Sequence, residues 1–162
     1  MQTGLPSSEQ ESDAPATARL EHTTIEFAML CDRAEVVKGK LYMLGGGWDA
    51  LPTNSPGQPA SFSVAIGLLI PWHETNTPQS LTLHFENADA QKISPDLVAT
   101  VMAGRPPNAI QGQSFRTMIA INAQVQLPTL GPYIAVARLG GGQARRIGFY
   151  AVPPVSPQPM PV

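Results

Sequence analysis

Short runs in which apolar and polar residues alternate predict β-strands along most of the chain. In residues 80–86 the alternation is strict, with Leu81, Leu83 and Phe85 on one side and polar residues on the other. A period of two predicts a strand that buries one face. Residues 61–70 are apolar on both parities. That pattern suits a central strand, although periodicity alone leaves a buried helical segment open.

Turn residues between these runs indicate how the strands are connected. Lys38-Gly39 separates two apolar runs and predicts a two-residue hairpin, in which Gly39 supplies a positive φ. Gly131-Pro132-Tyr133 enters a late strand in the manner of the tyrosine corner of immunoglobulin-like sandwiches. Residues 51–60 are rich in Pro and Asn and predict a loop, and residues 96–102 stay ambiguous between a strand and a helical turn. The pattern predicts an all-β fold, an antiparallel immunoglobulin-like β-sandwich of seven or eight strands.

Composition places this sandwich in one domain with a polar segment at each end. The 162 residues include 17 prolines and 14 glycines, which favour short strands and turns. Residues 1–23 hold almost nothing apolar, so we expect a disordered N-terminal tail. Residues 24–152 form the predicted sandwich domain, and residues 153–162 form a Pro-rich, extended C-terminal tail.

The charge distribution argues against nucleic-acid and membrane partners. The net charge is −2, of which residues 1–24 carry −3 (four acids and one arginine), so the remainder carries only +1. A nearly neutral body lacks the basic surface that neutralises phosphates. The longest apolar run, residues 62–70, is too short to span a bilayer, and no secretory leader is apparent. With a single cysteine, we expect a soluble, cytoplasmic protein.

Two segments carry a resemblance to a known group of proteins. They run from Phe27 to Asp32 and from Lys38 through Gly45-Gly46-Gly47 to Asp49, and a Pro-rich loop follows. Together with residues 70–76 and 131–133, they resemble an uncharacterised family of bacterial and phage proteins over about residues 25–152. The resemblance implies a small β-sandwich. It implies no catalytic residue, cofactor or substrate.

The residues themselves offer little catalytic chemistry. The three glycines at 45–47 lack the lysine and hydroxyl residue of a phosphate-binding loop and suit a close-packed strand exit. Cys31 ends an apolar run, where cysteine behaves as a small hydrophobe, and no histidine motif would orient a base beside it. The residues therefore favour a protein that is not an enzyme without deciding the matter, and we assign no catalytic residue, metal ligand or cofactor. Carboxylates near strand ends leave a hard-cation site open, although their spacing matches no calcium loop (Asp32, Glu35, Asp49, Glu74 and Asp89).

The same strand-end positions are candidates for an interaction surface. Residues 32–35 read as a charged corner that Asp32 caps, and Trp48 reads as a plug whose N–H meets a loop carbonyl. Trp72 stays open between a plug and an exposed anchor. The leading hypothesis is a non-enzymatic module that binds a protein partner or itself. The alternative is a small-ligand or metal-dependent binding protein, or a weak hydrolase. The candidate residues are Asp32, Arg33, Glu35, Trp48, Asp49, Trp72 and Glu74.

Overall fold

The computed structural model describes residues 20–54 and 57–156, and these residues form two packed β-sheets without an α-helix. The predicted all-β sandwich is confirmed. Most of the two predicted tails, residues 1–19 and 157–162, lies outside the described residues. The strands are β1 Thr24–Val37, β2 Lys40–Gly46, β3 Ala50–Pro52, β4 Pro59–Ile70, β5 Gln79–Asn87, β6 Leu97–Val101, β7 Phe115–Gln126, β8 Gly131–Leu139 and β9 Ala144–Val152, with a 3-10 turn at Trp72–Glu74.

The first sheet has the order β2-β1-β4-β7, and the second has the order β3-β9-β8-β5-β6. Neighbouring strands are antiparallel except for β3, which runs parallel to the end of β9. The described residues form nine strands instead of the seven or eight predicted. The predicted Pro-rich loop contains β3, because Ala50–Pro52 pairs with Tyr150–Val152. The ambiguous residues 96–102 contain β6, which pairs with β5.

Alternate side chains of the central strands fill the space between the sheets. In β5, Leu81, Leu83 and Phe85 are fully buried, as the strict alternation predicts. In β4, Phe62 and the apolar residues at every second position after it belong to the same core. Ser63, Ala65 and Gly67, of the other parity, are buried as well. The central strand predicted at residues 61–70 is therefore confirmed. Because residues on its outer face are also buried, another part of the chain covers that face.

The cover is supplied by the β1–β2 hairpin. β1 pairs with β4 only as far as Cys31, and from there to Val37 it pairs with β2 alone. Ala34 on this segment packs against Cys31 and Ala65, and Leu41 of β2 joins the same cluster. The hairpin therefore folds back over the outer face of the first sheet. Small side chains at 34 and 65 allow the two layers to approach closely.

The predicted corner at Asp32–Glu35 is wrong. These residues lie inside β1, and Arg33 and Glu35 pair in register with Leu44 and Tyr42 of β2. The ladder satisfies their backbone groups, so no turn is needed there. Asp32, Arg33 and Glu35 keep their charges in water because the hairpin leaves them exposed.

Tyr133 ties the crossover between the two sheets. Its hydroxyl donates to the carbonyl oxygen of Thr129 at 2.8 Å, and the backbone N–H of Thr129 donates to the hydroxyl at 3.2 Å. This is the hydrogen-bond arrangement expected of a tyrosine corner at the start of a late strand. The finer immunoglobulin-like classification stays a prediction.

Candidate functional site

The outer face of the β1–β2 hairpin is the first candidate surface. Lys38 and Gly39 both have positive φ (51° and 74°), which is the geometry of a two-residue type I′ turn, and Val37 pairs with Lys40 across it. The predicted hairpin is therefore confirmed. The turn fixes the register that places Tyr42 opposite Glu35 and the next outward residue, Leu44, opposite Arg33.

These four side chains line a shallow surface depression with the neighbouring Ala34 and Met43. Its volume is about 290 Å³. Tyr42 is 53% exposed and Leu44 is 70% exposed, so the depression combines solvent-facing apolar groups with an arginine and a carboxylate. The sequence pattern indicated the charged residues of the depression, Arg33 and Glu35, but not its apolar residues. The apolar residues could have been found from the unbroken run Leu41-Tyr42-Met43-Leu44. A strand with one solvent-facing side normally has a polar residue at every second position, and this run has none.

Cys31 lies beneath the hairpin and is fully buried. Its Sγ donates weakly to the carbonyl oxygen of Ser63 at 3.5 Å, and burial raises the pKa of the thiol above its usual value. A thiol that is buried and protonated is a poor nucleophile. The interpretation of Cys31 as a structural residue is in keeping with this environment.

Gly45 allows the hairpin to pass close to Asp32. A Cβ atom at position 45 would lie 2.1 Å from Oδ2 of Asp32, and the residue has φ +56°. Gly47 also has a positive φ, of +84°, but a Cβ there would meet only Sδ of Met29 at 3.9 Å. Gly45 therefore allows both a positive φ and the close approach of Asp32, and Gly47 allows a positive φ. Both roles agree with the close-packed strand exit that the sequence predicts.

Trp48 closes the core next to this exit. Its ring packs edge-on against Phe62 and Phe149, with centroid separations of 5.6 Å and 6.0 Å. The prediction of a plug is confirmed. The predicted bond to a loop carbonyl is not found among the described residues, where Nε1 of Trp48 is buried without a hydrogen-bond acceptor. Asp49 is exposed and contributes its carbonyl oxygen, which accepts from the backbone N–H of Tyr150 at 2.7 Å.

Trp72 lies in the opposite half of the sandwich, just after β4 ends beside the start of β7. Its ring is half-buried, 6.2 Å from Phe115, and the guanidinium of Arg105 stacks on it at 4.3 Å. Arg105 also donates to the carbonyl oxygen of Trp72 at 2.8 Å. Trp72 is thus enclosed from one side by its own fold, and the arginine that covers it was not among the predicted residues.

Glu74 connects the same turn to the segment before β1. Its Oε2 accepts from the backbone N–H of Thr23 at 2.7 Å and from the hydroxyl of Thr23, and its Oε1 accepts from Nδ1–H of His22 at 3.0 Å. Burial acts to raise the pKa of Glu74, but the hydrogen bonds from Thr23 and His22 outweigh it and lower the pKa to about 2. Glu74 is therefore a carboxylate at neutral pH.

A second histidine joins this group. One ring nitrogen each of His22 and His73 and a carboxylate oxygen of Glu74 all lie within 4.8 Å of one another. Among the described residues, these three side chains form the group with enough potential ligand atoms close together to hold a metal ion. Of the strand-end carboxylates, Glu74 alone belongs to this group, and Asp32, Glu35, Asp49 and Asp89 take no part in such a group within the described residues.

The seven predicted residues therefore do not form one site. Asp32, Arg33 and Glu35 belong to the hairpin, Trp48 and Asp49 to the neighbouring core exit, and Trp72 and Glu74 to the far half of the sandwich. Residues missed by sequence reasoning complete two of these groups. They are Tyr42, Met43 and Leu44 on the hairpin, His22, Thr23 and His73 around Glu74, and Arg105 on the ring of Trp72.

Comparison with known sequences identifies a family. A model described as "Family of unknown function (DUF6941)" matches residues 26–152. No curated protein sequence matches the chain. The expected resemblance to an uncharacterised family is thereby borne out, and the bacterial and phage setting stays a prediction. In the described part of the chain, no helix has the length and apolar character needed to cross a membrane.

Proposed function

Because the chain belongs to a family of unknown function, DUF6941, which brings no activity with it, we propose a role from its own surface. The protein is a non-enzymatic interaction module, and the outer face of the β1–β2 hairpin is its contact surface. The partner is another protein chain, which adds a strand to the open edge of β2. A cytoplasmic setting belongs to this proposal as well.

The observation that carries the proposal is the concentration of exposed apolar side chains on the hairpin. Half of the large apolar residues that are exposed in the described part of the chain lie on β1 and β2 (Met29, Val36, Val37, Tyr42, Met43 and Leu44). Of these, Val37, Tyr42 and Leu44 share one face of the hairpin with Arg33 and Glu35, because side chains alternate between faces along the paired strands. Single exposed apolar residues are ordinary, but a contiguous group rimmed by polar residues marks an interaction surface. Here the rim consists of Arg33 and Glu35 on β1 and Lys40 on β2.

The open edge of β2 supplies the second half of the argument. Among the described residues β2 pairs only with β1, so the backbone groups on its other side are free to pair. Natural proteins cover or charge such edges to prevent unwanted pairing. On β2, only Lys40 is charged, and the following four residues are apolar. An extended partner segment would gain backbone hydrogen bonds from the edge and specificity from Tyr42 and Leu44.

The composition of the depression fits a protein ligand better than a small molecule. Tyr and Arg are enriched at the centres of protein interfaces, and both line this surface as Tyr42 and Arg33. Small-molecule sites, in contrast, enclose most of the ligand in a deep pocket. At about 290 Å³, the depression is at the lower limit of such pockets and lies open on the hairpin.

Site-specific photo-crosslinking in the native host tests the proposal. The crosslinking residue p-benzoylphenylalanine replaces Tyr42 in one variant and Tyr150 in the control, because the two tyrosines are similarly exposed (53% and 56%) and lie on different sheets. We expect protein adducts from position 42 and few from position 150. The further change Leu44→Lys should abolish the adducts from position 42.

Mass spectrometry of the adducts then identifies the partner. An adduct between two copies of this chain assigns self-association, and an adduct with one recurring host protein assigns a heterologous partner. Equal adduct yields from the two positions, or yields that Leu44→Lys leaves unchanged, would refute the hairpin as the contact surface.

A further inference from the structure

The group formed by His22, His73 and Glu74 has a chemistry that the hairpin does not use. The first histidine precedes β1, and the other two residues belong to the 3-10 turn after β4. His73 and Glu74 are neighbours in the chain, and His22 precedes His73 by 51 positions. The fold brings a potential ligand atom of each residue within 4.8 Å of the others. Two imidazole nitrogens and one carboxylate oxygen form the ligand set that open zinc sites employ, with water completing the coordination.

We propose that His22, His73 and Glu74 bind a divalent transition-metal ion of the Zn²⁺ class. Calcium and magnesium are excluded by the ligands, because both ions prefer oxygen atoms and two of the three ligands here are nitrogen. The site lies in the other half of the sandwich from the hairpin, so it stands independently of the proposed interaction surface.

The distances suit such an ion. Oε1 of Glu74 and Nδ1 of His22 are 3.0 Å apart. Ligands about 2.0–2.2 Å from a tetrahedral ion are separated from one another by roughly 3.3–3.6 Å. The ion would therefore take the place of the proton that now lies between these two atoms. Both imidazoles are exposed, and every pair of ligand atoms lies within 4.8 Å, so the third ligand would have to approach the ion more closely than it approaches its neighbours now.

Neighbouring groups already orient the ligands. Nε2–H of His73 donates to the carbonyl oxygen of Glu21 at 2.7 Å, which leaves the lone pair of that ring on Nδ1. A metal-bound histidine commonly donates its other N–H to a backbone carbonyl in this way. Thr23 occupies Oε2 of Glu74 with two hydrogen bonds, so Oε1 remains for the ion.

Binding would join two segments that are distant in sequence. The ion would tie residues 21–23 to the turn at Trp72–Glu74 and so fix the start of β1 against the end of β4. With three protein ligands, at least one coordination position faces solvent and stays available to water.

The test uses the full chain after treatment with a chelator. Isothermal titration with Zn²⁺ measures affinity, and the visible absorption of bound Co²⁺ reports the coordination geometry. His22→Ala and His73→Ala remove one ligand each. His84→Ala is the matched control, because the chain has three histidines and His84 pairs with Glu86 in the other sheet. Circular dichroism verifies that each variant is folded.

We expect the wild-type chain and His84→Ala to bind one equivalent of Zn²⁺ and to give the Co²⁺ bands of a four- or five-coordinate site. Each ligand variant should bind at least about tenfold more weakly, since removal of a mere supporting group already costs that much. Failure of the wild-type chain to bind stoichiometric Zn²⁺ overturns the proposal. Equal affinities of the ligand variants and the wild-type chain overturn it too, because the metal would then bind adventitiously elsewhere.

Discussion

Substitution of Gly45 tests how the hairpin is built. In Gly45→Ala the new Cβ would lie 2.1 Å from Oδ2 and 2.6 Å from Cγ of Asp32, and the residue would retain φ +56°. Two costs follow. The left-handed conformation costs a non-glycine residue about 1–2 kcal/mol, and forcing the carboxylate of Asp32 aside costs about 0.5–1.5 kcal/mol as a displaced rotamer. The exposed position of Asp32 keeps the second cost small.

Gly47→Ala is the matched control for the backbone cost. Position 47 also has a positive φ, of +84°, but its new Cβ would touch only Sδ of Met29 at an ordinary 3.9 Å. We therefore expect Gly47→Ala to lower the free energy of unfolding by about 1–2 kcal/mol and Gly45→Ala to lower it by about 1 kcal/mol more.

Urea unfolding of both variants, with and without Asp32→Ala, isolates the contact in a double-mutant cycle. In the Asp32→Ala background, Gly45→Ala should lose most of its additional cost and resemble Gly47→Ala. If Gly45→Ala costs the same in both backgrounds, the close approach of Asp32 does not explain the glycine. A cost below about 0.5 kcal/mol would refute the backbone argument as well.

Three further predictions concern the core and the charged surface. Tyr133→Phe should lower the free energy of unfolding in urea by about 1–2 kcal/mol, because it removes both hydrogen bonds to the backbone of Thr129; a neutral result would contradict the corner. Trp48→Phe should cost less than about 1 kcal/mol, since the smaller ring removes a buried N–H that has no acceptor among the described residues; a calorimetric loss above about 2 kcal/mol would contradict this. Glu86→Gln should lower the free energy of unfolding by about 1 kcal/mol at pH 7. The hydrogen bond from His84 lowers the pKa of Glu86, burial opposes this, and the hydrogen bond from Arg146 lowers the pKa further. This contribution is present above the unfolded value near 4.5 and disappears as the pH falls through the folded pKa, so equal losses at pH 7 and pH 3 would contradict it.

Sequence reasoning succeeded where a structural feature depends on neighbouring residues. The alternation of Leu81, Leu83 and Phe85 corresponds to a buried strand face, because side chains along a strand point to opposite sides in turn. Lys38-Gly39 forms the expected turn, because Gly39 adopts a positive φ without steric cost; Lys38 adopts one too, which the sequence did not predict. Tyr133 reaches the backbone four residues earlier, which is a local bond as well.

It failed where the feature depends on the third dimension. The run at residues 41–44 is apolar at every position, as in a strand that is buried on both faces. In the structure, Leu41 packs on the outer face of the first sheet, whereas Leu44 faces solvent. Periodicity assigns side chains to faces, but it does not say which layer a face meets. The charges at 32–35 suggested a corner, and the pairing with β2 overrode that local preference.

The sequence by itself therefore determined the class of the fold, most of its strands and the hairpin turn, since all of these follow from residue period and turn chemistry. Tertiary structure alone decided that the hairpin folds over Ala65 and that Trp48 and Trp72 lie in different halves of the sandwich. It also decided that His22 meets Glu74, 52 residues away. Contacts over such separations depend on how whole strands pair and stack, and no local pattern records them.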